Sequence, residues 1–106
     1  MSLIDRLRGF DDSGELVEGK LPVHQFNAAV MDFAIGGGIS EADLKSEFGI
    51  VDGDDLSEWN WLKGKYQASA DKPLFREAMD GIFMLIERNL FYNTKSAITD
   101  RINALP

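Results

Sequence analysis

Apolar positions recur along the chain at spacings of three and four, the period of a helix face. Leu3, Ile4 and Leu7 share one face of a short first helix that Ser2 can cap and Gly9 can end. Residues 11–20 hold Gly14, Gly19 and a run of acids, and read as a flexible loop. Pro22 then stands where a helix begins, and Val23, Phe26, Val30 and Phe33 form its apolar stripe until Gly36, Gly37 and Gly38 stop it. Ser40-Glu41-Ala42-Asp43 opens the next helix in the manner of a capping box, with Leu44 and Phe48 inward and Gly49 as its C′ residue. Asp52, Asp54 and Asp55 offer N-caps for a helix carrying Leu56, Trp59, Leu62 and Tyr66, and residues 67–70 read as a break.

The strongest pattern starts at Asp71 and Pro73 and runs to about Asn89. Its Leu74, Phe75, Ala78, Met79, Ile82, Phe83, Leu85 and Ile86 cover more than half of the circumference, as befits a helix wrapped by the others. Asn93 or Thr94 caps a last helix with Ile98, Ile102 and Leu105 inward. No run alternates like a strand, and only residues 15–23 leave room for a short extended pair. The sequence therefore predicts an all-α fold. It is one compact domain over residues 1–106, with about five helices packed around a central hydrophobic helix at about 73–89.

Composition supports that reading and narrows the chemistry. A chain of 106 residues with 44% hydrophobic positions and seven Phe suits one folded core. No Cys is present, so disulfides, thiolate catalysis and thiolate metal sites are excluded. Residues 1–10 lack an apolar leader core, and residues 81–86 are too short to span a bilayer, so no membrane association is expected. The expected location is the cytoplasm.

Charge is uneven along the chain. Of the formal net charge of −7, residues 39–58 carry the greater part, with one Lys against seven acids. Asp52, Asp54, Asp55 and Glu58 are thus expected to form an acidic surface, which repels nucleic acid and attracts basic protein patches. Such a surface leaves open a DNA-mimic regulator that captures a basic, nucleic-acid-binding partner. A calcium loop starting at Asp52 fails, because Leu56, Ser57 and Lys63 stand where ligand, glycine and ligand are required. Caps and solvated acids explain the cluster more simply.

Other chemistries fail in specific ways. His24 is the only histidine, so neither a Cys–His dyad nor a two-His metal site can be assembled. A structural or solvated role in the first turn of its helix suits it better. No Gly-x-Ser-x-Gly elbow is present, and the glycines at 36–38 follow a helix rather than a strand and lack a Lys-Ser/Thr. The reading is a non-enzyme with no cofactor, no metal and no small-molecule substrate. Residues 41–66 have the outline of a helix-turn-helix with Gly49 in the turn. Its second helix opens on acids where phosphate would lie, which disfavours nucleic acid.

Aromatic placement gives the best lead. Trp59 and Trp61 diverge by about 200° on one helix, so if Trp59 enters the core Trp61 faces out. The bland alternative is that the 11–20 loop covers Trp61. Trp61, with Phe91 and Tyr92 between the last two helices, forms the predicted protein interface.

The blocks Ser2–Arg8, Leu21–Phe26, Ile39–Phe48, Trp61–Tyr66 and Tyr92–Lys95, in that order, resemble short uncharacterised proteins encoded in tailed-phage and prophage genomes. The resemblance spans most of the chain and carries no chemical motif. It implies a structural or accessory role, including incorporation in a virion, through self-association or binding to a phage or host protein.

Overall fold

The computed structural model describes residues 2–35, 37–88 and 94–106, with the backbone alone at 34 and 35. Among these residues six helices follow one another: α1 (Leu3–Arg8), α2 (Val23–Ile35), α3 (Glu41–Phe48), α4 (Asp54–Ala68), α5 (Lys72–Glu87) and α6 (Lys95–Asn103). The expected all-α architecture holds, with six helices in place of about five because α1, at six residues, is a full packing element. The only extended pairing among the described residues is a single antiparallel bridge between Phe10 and Leu16.

Capping chemistry sets most boundaries. Ser2, Ser40, Asp71 and Thr94 accept first-turn N–H groups from Asp5, Asp43, Leu74 and Ala97 at 3.4, 3.1, 3.1 and 3.1 Å. Gly9 and Gly49 end α1 and α3 in the left-handed region, at φ 86° and 65°. A Cβ at Gly9 would also stand 2.8 Å from Lys20 Cδ. Helix α4 breaks the pattern. Gly53 is its N-cap and makes no side-chain cap bond, so neither Asp52 nor Asp54 takes the expected role.

Helix α5 is the hub, packed against α1, α2, α4 and α6. It buries Phe75, Met79, Ile82, Phe83 and Ile86. Phe26 of α2 is fully buried at the centre, with the rings of Phe48, Trp59 and Phe83 at 5.2, 6.2 and 6.5 Å. One ring thus ties α2 to α3, α4 and α5, and each aromatic pair contributes roughly 0.5–1.5 kcal/mol beyond area burial. Met31 and Asn27 are buried beside this stripe although the periodicity did not single them out. Asn27 donates its amide to Asp80 of α5. A radius of gyration of 13.0 Å matches the value of about 13 Å expected for one domain of this length.

Residues 11–20 form no helix and are fastened by hydrogen bonds. The Asp11 carboxylate accepts from Ser13 N, Ser13 Oγ and Glu15 N at 2.9, 2.6 and 3.0 Å. Those bonds, the Ser13 hydroxyl foremost, hold its carboxyl below the ordinary range. Val17 N donates to Gly9 O, and Leu21 N donates to Arg6 O.

Candidate interaction surface

The acidic segment is the first place where the folded chain departs from its sequence. Asp55 is 3% exposed and belongs to the interior. Its Oδ2 lies 3.0 Å from Arg6 Nη1, and the same guanidinium donates to the carbonyls of Gly19, Phe48 and Gly49 at 3.1, 3.0 and 3.1 Å. A cation at the C-terminal carbonyls of α3 also opposes the helix dipole. Glu58 is drawn in on the other side of α1. It accepts from Ser2 Oγ and Ile4 N at 2.7 Å and pairs with Lys95 Nζ at 2.6 Å. The Glu58 hydrogen bond is the main reason that the Lys95 ammonium titrates above its ordinary value. Burial, working against Lys95 and Arg8, raises the carboxyl of neighbouring Asp5. The predicted acidic surface is therefore corrected: only Asp52 and Asp54 are exposed, whereas Asp55 and Glu58 fasten α4 to α1.

The physical reason is the packing of α1 against α4. A carboxylate at the start of a helix is usually solvated, yet here a second helix brings donors to it. Among the described residues no three His, Asp or Glu side chains converge as a metal site would require.

The same packing bears on duplex recognition. Leu44, Phe48 and Ile50 are buried, and Gly49 ends α3 in the turn that leads to α4. Helix α4, however, gives Asp55, Trp59, Leu62 and Tyr66 to the interior. Its exposed residues are Asp54, Ser57, Asn60, Gly64, Gln67 and Ala68, and its two cations, Lys63 and Lys65, lie half-buried toward the far end from the acids.

Trp59 and Trp61 do diverge. Trp59 is 1% exposed, and Trp61 is half-buried, packed on the margin of the core. Trp61 is thus no free-standing anchor, which weakens its assignment as the interface. Phe91 and Tyr92 lie outside the described residues. His24 is exposed, with Nε2 against the Glu87 carboxylate.

Two apolar features remain, neither singled out by the sequence. The first is the outer side of α5. Its apolar arc is broader than its neighbours cover, and the helix is not wrapped all round as expected. Leu74 is 45% exposed, Gly81 is exposed, and Ala78 and Leu85 are half-buried. Spaced 4, 3 and 4 residues apart, they form a stripe beside the buried one. Ala78, Gly81, Ile82 and Leu85 make one wall of a groove of about 370 Å³ whose other wall is Arg101, Ala104 and Leu105 of α6. A Cβ placed on Gly81 would meet nothing within 4 Å.

The second is a cavity of about 110 Å³ lined by Val30, Phe33, Trp59, Lys63, Tyr66, Gln67 and Lys72. Beside it Glu41, the first residue of α3, accepts from Trp59 Nε1 at 3.2 Å and Lys63 Nζ at 3.1 Å, and pairs with Lys45 Nζ at 3.1 Å. The indole N–H first, then the two ammoniums, pull its carboxyl down to about 2. No described helix is long and apolar enough to cross a membrane. Compared with protein-family models, curated proteins and solved structures, the chain matches none.

Proposed function

We propose that this chain is a non-enzymatic protein-interaction module that works as an oligomer, as a structural or accessory protein of a phage or prophage. The uncovered stripe of α5 is the observation that carries the reading. A two-fold dimer needs a self-complementary face. Laid antiparallel on its own copy about the midpoint between Met79 and Asp80, α5 sets Leu74 opposite Leu85 and Ala78 opposite Gly81. The same register sets Asp71, its N-cap, opposite Arg88, its C-cap, so each end of the stripe meets the opposite charge. Small residues at the crossing let the two backbones approach. The order of sequence blocks supplies the phage setting.

Magnitude fixes the kind of contact. A helix of 16 residues is about 24 Å long, and a stripe about 12 Å wide covers roughly 300 Å². That is below the ~800 Å² per partner of a stable complex, even with Ala104 and Leu105 added. The dimer is therefore weak alone and gains strength when many copies assemble. Light scattering coupled to size exclusion tests this over a concentration series. The wild type shifts from monomer toward dimer, and Leu85→Glu stays monomeric with unchanged helical circular dichroism. A wild type that remains monomeric at its solubility limit overturns the proposal.

A further inference from the structure

We infer that the cavity between α2, α4 and the start of α5 binds a small aromatic carboxylate, a molecule of about the size of benzoate. Its walls are apolar and aromatic: Val30 and Phe33 from α2, Trp59 and Tyr66 from α4. An apolar void of this kind holds water poorly and takes an apolar guest, and roughly 150 Å³ suffices for benzene. At about 110 Å³ the enclosed space is smaller than that, so a ring enters edge-first through the open mouth and keeps its outer edge and its substituent at the entrance.

The entrance selects the substituent. Lys63 and Lys72 are the two cations that line the cavity, in a chain whose formal net charge is −7. Lys63 shares the Glu41 carboxylate with Lys45 and the Trp59 indole, so that carboxylate is engaged by two ammoniums at once. Lys72 Nζ is steadied by the carbonyls of Gln67 and Ser69 at 3.4 and 3.3 Å and stands 5.8 Å from the Tyr66 ring centroid. Carbonyls orient an ammonium without cancelling its charge. Two cations against one carboxylate leave the mouth locally positive, and a guest carboxylate completes the pairing. The hydrogen-bonded Trp59, Lys63 and Lys72 side chains are held in place before any guest arrives, which lowers the ordering cost of binding.

Benzoate and its neutral counterpart benzyl alcohol are the probes, titrated into the full chain and followed by amide and indole NMR shifts. Benzoate is expected to move the Trp59 indole N–H and the amides around Tyr66 saturably. Benzyl alcohol should bind roughly tenfold more weakly, the loss of one charge-assisted hydrogen bond. Lys72→Met should remove most of that discrimination, and Val30→Phe, which fills the void, should abolish the benzoate shifts. Because the two probes are compared on the wild type, the test does not depend on either variant folding. Absence of saturable shifts at tens of millimolar benzoate, equal binding of benzyl alcohol, or shifts centred on the α5–α6 groove would overturn the inference. Self-association through α5 is read by a different measurement and stands or falls separately.

Discussion

Arg6→Met isolates the contact on which the α1–α4 junction depends. The guanidinium keeps 11% of its side chain exposed, and Asp55 keeps 4%. Removing the cation leaves a buried carboxylate with no counter-charge, on an aspartate whose Oδ1 already lacks a hydrogen-bond partner among the described residues. It also strips a donor from the carbonyls of Gly19, Phe48 and Gly49. Breaking a buried pair from one side costs about 3–5 kcal/mol. The residual exposure of Arg6 admits water and favours the lower end, about 3–4 kcal/mol. That is a large share of the roughly 5–15 kcal/mol that holds a domain together. With a urea slope of about 1–2 kcal/mol per M, the unfolding midpoint should fall by roughly 1.5–4 M. Adding Asp55→Asn removes the unpaired charge, so the double variant should be more stable than Arg6→Met alone. Urea unfolding followed by Trp fluorescence and circular dichroism is read on the wild type, on Arg6→Met and Asp55→Asn singly, and on the double variant. A loss below about 1 kcal/mol, or strictly additive effects, would show that the pair is not coupled and refute the reasoning.

Two further outcomes can be checked on the monomer. Glu41 titrates at about 2 when folded against 4.5 in its ordinary state, so its stabilising contribution is complete above pH 4.5 and is lost as pH falls toward 2. Glu41→Gln should flatten that acid limb in thermal melts taken stepwise across the window, and an unchanged limb would disprove the role given to the Trp59–Lys63–Lys45 cluster. Gly64 lies inside α4 with nothing within 4 Å of an added Cβ. Gly64→Ala should therefore stabilise the fold by about 0.5–1 kcal/mol, seen as a rise of a few degrees in melting temperature. A fall would mean that the position is crowded.

Much of the fold was legible because its signals are local. Ser2, Ser40, Asp71 and Thr94 are short polar acceptors directly ahead of apolar stripes, and Gly9 and Gly49 follow them where the chain must turn left-handed. The hub role of α5 follows from the width of its apolar arc. What the sequence concealed depends on distant partners. Asp55 and Glu58 look like solvated acids until Arg6, Ser2 and Lys95 arrive from other helices. No periodicity pairs an arginine at position 6 with an aspartate at 55. Leu74, Ala78 and Leu85 read as inward residues, because the arc of α5 is visible in sequence and the number of helices available to cover it is not. Met31 packs inward from a position just off the expected stripe. The cavity is space that several side chains leave unfilled together, and no single residue announces it.

The junction around α1 has a consequence for how the chain is made. Arg6 reaches Phe48 across 42 residues, and Ser2 reaches Glu58 across 56. At ~5–20 residues added per second, α1 leaves the ribosome ~2–11 s before the partners that complete it. For that interval Leu3, Ile4 and Leu7 have no core to enter. The helix translated ahead of the others is thus among the latest to settle. Synonymous changes that slow translation between residues 8 and 58 lengthen the time in which a nascent-chain chaperone or protease can engage it.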